Sequence, residues 1–121
     1  MTDRNKVFKI ERDQRTLIVI PQGKDGRFRY NDVHLESNAI VRLLDDPNLA
    51  NVVIDLENID YSGSILIGVL IRIARKACDN GGRAVICCTS DSMQEILETM
   101  NLFKLWPSYP ARDDALKALE D

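Results

Sequence analysis

The chain has 121 residues, 45% of them hydrophobic, with nineteen acids against sixteen bases and a formal net charge of −3. At this length a single domain over residues 1–121 is the expectation, with a core of ordinary size. The acidic balance argues against nucleic acid as the main partner, because no basic excess exists to neutralise phosphates. The opening Met1-Thr2-Asp3-Arg4-Asn5-Lys6 is polar, and the longest apolar run, Ile65 to Ile71, falls far short of the roughly 20 residues that a membrane span needs. Three cysteines, Cys78, Cys87 and Cys88, cannot all pair within one chain, which with no export signal suggests a reducing cytoplasm.

Val7 to Glu11 alternates and predicts a first strand. Asp13-Gln14-Arg15 reads as a tight turn into a second strand, Thr16 to Ile20, which Pro21 ends. Gln22 to Tyr30 is a loop. Asn31 or Asp32 caps a helix to about Leu44, with Val33, Ile40, Leu44, Ala39 and Leu43 as its buried stripe. The continuous run Val52 to Leu56 predicts a central strand buried on both faces. A loop then delivers Ser64 to the start of a helix that runs to about Cys78 and stops at Asn80-Gly81-Gly82. Ala84 to Cys88 is a further buried strand, on which Cys87 and Cys88 point to opposite faces. Ser90 or Asp91 caps a short helix through Met100, with Met93, Ile96 and Leu97 inward. Leu105-Trp106 reads as the start of a last strand, confined to an edge by Pro107 and Pro110. Trp106, Phe103 and Leu105 form a cluster expected to pin the final helix, Arg112 to Glu120, whose anchors are Ala115, Leu116 and Leu119. After an opening hairpin, strands and helices alternate, so the predicted class is α/β: a mixed β-sheet with parallel crossovers and about four helices.

On the helix from Ser64, the residues Leu66, Val69, Leu70, Ile73 and Ala77 share the face that packs on the sheet, and Ile67, Ile71 and Ala74 widen it. Ile65 falls well off that face, near Arg72 and Lys76, and Gly68 lies on the far side with Arg75. An exposed isoleucine and an outer-face glycine would let a partner backbone approach closely; otherwise neighbouring loops bury them. Ser64 has two readings. As an N-cap it contributes about 1 kcal/mol. As a phosphoacceptor it would gain roughly −1.5 to −2 charges, which a helix N-terminus stabilises by about 0.3–1 kcal/mol. An apolar interface would not tolerate that charge, because desolvating it without a cation costs several kcal/mol.

Other constellations carry less. Asp55 ends a strand, as the acceptor of aspartyl-phosphate receiver domains does. Those domains also need an acidic pair after the first strand and a lysine after a late one. Here Glu11-Arg12-Asp13 lies at a hairpin and Ala84 to Cys88 is followed by Thr89-Ser90, so Asp55 reads instead as a residue that bonds loop amides. Gly23-Lys24-Asp25-Gly26 lacks the spacing and the Lys-Ser/Thr pair of a phosphate loop and reads as a surface turn. His34 is the single histidine; no metal-ligand spacing and no Ser/His/Asp set is visible.

Val52-Val53-Ile54-Asp55-Leu56, Ile59-Asp60-Tyr61, Ser64 and Gly68-Val69-Leu70 together resemble the STAS family, the domain of bacterial anti-sigma factor antagonists and sulfate-transporter tails. Gly82 to Ile86, Ile96-Leu97, Met100-Asn101-Leu102-Phe103 and Ala115-Leu116 extend the resemblance over roughly Val7 to Leu119. It implies a non-enzymatic, cofactor-free cytoplasmic regulator, monomer or weak dimer, that binds an ATP-dependent anti-sigma factor serine kinase. It implies Ser64 as the phosphorylation switch and Tyr61, Ser62, Gly63, Ile65, Gly68 and Arg72 as the partner surface. The acid that usually precedes the serine and assists kinase recognition is Gly63 here, and Ile65 and Leu66 replace the small residue and the glycine that follow. A second reading is therefore a STAS module that is never phosphorylated and serves as a scaffold in a signalling assembly.

Overall fold

The computed structural model describes residues 7–22, 30–60 and 63–120. Strands β1 (Phe8–Asp13) and β2 (Thr16–Pro21) form an antiparallel hairpin in which Asp13 faces Thr16 across a turn with Gln14 at φ 54. Helix α1 (Tyr30–Leu43) leads to β3 (Asn51–Asp55), α2 (Ser64–Asp79) to β4 (Ala84–Cys87), and α3 (Asp91–Thr99) with a 3-10 turn (Leu102–Lys104) to β5 (Ser108–Tyr109); α4 (Arg112–Ala118) follows.

The sheet order is β1-β2-β3-β4-β5, with every pair after the hairpin parallel. Parallel crossovers are right-handed, so a sheet that grows in one direction receives all of its crossover helices on one face. That face carries the larger core, in which Leu17, Val19, Val52, Ile54, Ala84 and Ile86 of the strands meet α1, α2 and α3. The odd-and-even alternation sends Ile18, Ile20, Val53, Val85 and Cys87 to the other face, where α4 covers them with Ala115 and Leu119. Burial on both faces is why β2, β3 and β4 read as nearly unbroken apolar runs. The mixed sheet, opening hairpin, parallel crossovers and four helices agree with the expected class. None of the described helices is long and apolar enough to cross a membrane.

The structure corrects several details. In α1 the buried stripe is Val33, Ser37, Ile40 and Leu44, spaced by four, three and four; Ala39 and Leu43 fall to the side of it and are exposed. Ser37 is fully buried, and its hydroxyl donates to the His34 carbonyl at 3.1 Å. The last strand lies between the two prolines and not at Leu105-Trp106. Leu105 and Trp106 instead donate their amides to the Leu102 carbonyl, extending the 3-10 turn, and Leu105 stays exposed. Trp106 joins the larger core, on the opposite side of the sheet from α4, so the aromatic cluster does not pin that helix. Finally, β4 ends at Cys87. Cys88 takes a left-handed φ of 62, and the two cysteines do not diverge as neighbours on a strand would. Between α2 and β4, a Cβ on Gly82 would sit 1.5 Å from the Ala50 carbonyl oxygen, so only glycine permits this approach.

Candidate functional site

The segment between β3 and α2 is held at several points. Asp55 is fully buried, and its Oδ1 accepts the Glu57 amide at 3.0 Å, which turns the chain sharply at the strand end. Ile59 is buried two residues later. The Ser90 hydroxyl donates to the Asp60 carbonyl at 2.6 Å and accepts the Met93 amide at 3.1 Å, so one side chain caps α3 and ties down the loop. Gly63 then forms the N-cap of α2 in extended conformation, φ −83 and ψ −178, and has no side chain to offer the helix amides. Ser64 is therefore the first helical residue and not the cap, and it is exposed.

Along α2 the predicted inner face, Leu66, Val69, Leu70, Ile73 and Ala77, is buried in the larger core. Ile65 is 50% exposed. Gly68 is exposed, and an added Cβ there would meet nothing within 4 Å. Arg72 is exposed, with Nη1 donating to Asn38 Oδ1 at 2.7 Å. Residues 65, 68 and 72 are spaced by three and four, so they form one outward strip that begins at Ser64. Beside it lies a groove of about 380 Å³ between α1 and α2, lined by Val41, Gly68, Ile71, Arg72, Arg75 and Lys76. Lys76 is paired with Asp45 at 2.7 Å. Tyr61 and Ser62, named from sequence as part of the same surface, lie outside the described residues, as does the Gly23 to Gly26 turn.

Asp55 does bond a loop amide, but its main partner lies 57 residues away and was not assigned from the sequence. Arg112, the first residue of α4, donates Nε to Asp55 Oδ2 at 2.8 Å, Nη1 to Glu11 Oε1 at 2.9 Å and Nη2 to Glu57 Oε2 at 3.2 Å. Burial opposes the guanidinium's charge, yet the hydrogen bond and charge of Asp55, reinforced by Glu11, raise its pKa above the ordinary arginine value. With both carboxylate oxygens engaged beneath α4, Asp55 has the contacts of a structural anchor. The available signal was the position of Arg112. A cation in the first turn opposes the helix dipole, so its presence there points to a demand from elsewhere. On the same side, an Asp55 carboxylate oxygen and the sulphurs of Cys87 and Cys88 all lie within 4.8 Å of one another. Burial pushes both thiol pKa values up, that of Cys87 furthest and with the Asp55 charge adding to it.

A model of the STAS domain matches residues 8–115 of the chain. The protein belongs to the STAS family. Its fold is that of several solved relatives. An anti-sigma factor antagonist from Mycobacterium paratuberculosis is 21% identical, with a TM-score of 0.76 over 100% of each chain. An anti-sigma factor antagonist (STAS) domain protein from Planctomyces limnophilus is 21% identical, with a TM-score of 0.78 over 94% of this chain and 98% of that one. The Bacillus cell fate determinant SpoIIAA in its phosphorylated form is 14% identical, with a TM-score of 0.73 over 93% of this STAS chain and 99% of SpoIIAA. The sheet order and helix placement described above are thus those of a STAS domain.

Proposed function

We propose that this STAS domain is an anti-sigma factor antagonist-like regulator that binds an ATP-dependent anti-sigma factor serine kinase through the start of α2 and is released by phosphorylation of Ser64. The observation that carries the reading is an exposed Ser64 at the first turn of α2, one residue from the half-exposed Ile65 and one helical turn from the open Gly68. Support also comes from a relative of the same fold, SpoIIAA, which is known in a phosphorylated form. A phosphate on Ser64 would face solvent and the helix N-terminus in the free domain, at a gain of about 0.3–1 kcal/mol. In a complex it would lie against Ile65 and the partner's apolar surface, at a cost of several kcal/mol. The fold survives and the complex does not. Arg72 and Arg75, exposed along the same helix, suit a partner with acidic residues at the rim of its surface. Any ATP belongs to that partner.

The test uses an anti-sigma factor kinase. Ser64→Ala should keep the complex, and Ser64→Asp should weaken it by at least about 100-fold, or ~2.7 kcal/mol. Equal binding by both variants would remove the switch. Gly63, standing where the family's acid assists kinase recognition, favours the second reading of an unphosphorylated scaffold. Intact-mass measurement after incubation with kinase and ATP separates the two. A gain of one phosphate, lost in Ser64→Ala, supports the switch, and an unchanged mass supports the scaffold.

A further inference from the structure

We propose that Asp55, Cys87 and Cys88 form a binding site for a thiophilic divalent cation of the zinc class, on the face of the sheet opposite α2. Adjacent residues of a strand normally point to opposite faces. Here β4 stops at Cys87 and Cys88 turns into the left-handed region, φ 62, a conformation that costs a non-glycine residue on the order of 1 kcal/mol. The turn brings the second sulphur back beside the first, and a carboxylate oxygen of Asp55 completes a triangle no wider than 4.8 Å. Metal–sulphur and metal–oxygen bonds of about 2.3 and 2.1 Å in a tetrahedron place ligand atoms roughly 3.5–3.8 Å apart, within reach of small side-chain rotations. Asp55 and Cys87 are buried, whereas Cys88 is half-buried and gives the ion an entry and a fourth position for water.

The surroundings suit such an ion. Asp55, Glu11 and Glu57 all face Arg112, and Lys9 also reaches Glu11, so these five groups together keep one negative charge. Binding a divalent ion while two thiol protons leave to solvent preserves that balance. A thiol ligates as its thiolate, so the ion is one whose affinity for sulphur displaces protons. A carboxylate inside the triangle ligates a metal and has no part in a disulfide between the two cysteines.

The experiment titrates the full chain, freshly reduced and free of added thiol, with Co²⁺ and then Zn²⁺. One equivalent of Co²⁺ should give thiolate-to-cobalt charge-transfer absorption, bleached by one equivalent of Zn²⁺. Cys78→Ser, on the exposed side of α2, should keep the affinity within about twofold, and Cys88→Ser should weaken it by more than roughly tenfold, since even outer-shell changes cost 10–100-fold. Asp55→Asn removes a buried charge and tests folding as much as ligation, so the half-buried Cys88 decides. The proposal is overturned by absence of the band, by a band that survives Cys88→Ser, or by one that Cys78→Ser abolishes. It is equally overturned if the isolated protein is two hydrogens lighter with only one titratable thiol.

Discussion

The two faces of the sheet differ in how they are covered and in what they leave open. Among the described residues, the face under α1, α2 and α3 holds 25 buried apolar side chains; the face under α4 holds seven, together with the ion cluster around Arg112. A large core fixes α2 through its inner face and leaves Ser64, Ile65 and Gly68 exposed on its outer side, the surface of the proposed partner contact. The seven-residue α4 has little stability of its own, so it depends on its few buried side chains and on the ion cluster at its start. Charge does the remaining work there, through one guanidinium that meets carboxylates on β1, β3 and the loop after β3. One face is thus covered mainly by apolar packing, and the other by a smaller core together with a network of charges.

Substitutions on the two faces should therefore separate stability from partner binding. Arg112→Leu strands the buried Asp55 carboxylate and should cost roughly 3 kcal/mol, at the low end for a broken buried pair because the arginine keeps 27% of its side chain exposed. Urea unfolding measures this, and an unchanged midpoint would show that the cluster does not hold α4. Ser90→Ala removes the α3 cap and the tie to Asp60, for about 1 kcal/mol. It should also speed amide exchange at Ile59 and Asp60, and exchange that stays slow would mean the loop is anchored elsewhere. Gly68→Ala has the smallest effect on the fold and the opposite sign. The new methyl meets nothing within 4 Å and the helix gains up to about 1 kcal/mol, while partner affinity falls. Undiminished affinity would place Gly68 outside the interface.

Much of this was readable in the chain itself. The continuous run of β3, the helical spacing from Leu66 to Ala77 and the Asn80-Gly81-Gly82 stop located the strand, the helix and Ser64 correctly, because each depends on neighbours in sequence. The family model over residues 8–115 bears out the resemblance to the STAS family. Features set by distant partners were not readable. Ser37 looked polar, and only its place on the α1 stripe buries it. The last strand formed where β4 offered free backbone groups, with Ile86 donating to the Pro107 carbonyl and Cys88 to that of Tyr109, and not where the aromatic residue lay. Cys88 leaves strand geometry with a left-handed φ of 62, which no composition rule registers. Arg112 finds Asp55 57 residues away and Glu11 101 residues away, so its partners are set by topology, and the sequence offers only its odd first-turn position as a hint.

Those separations also bear on kinetics. A contact spanning 101 residues closes one of the widest loops the chain contains, and such contacts form after the local ones. Helix α4 docks onto strands it does not itself belong to, so its clasp is expected to form late, after the barrier to folding. Loosening it should leave the refolding arm of a chevron nearly untouched and raise the unfolding arm on the order of 100-fold for a loss of ~3 kcal/mol. On that outcome a single guanidinium sets how long the molecule stays shut, with little influence on how fast it closes.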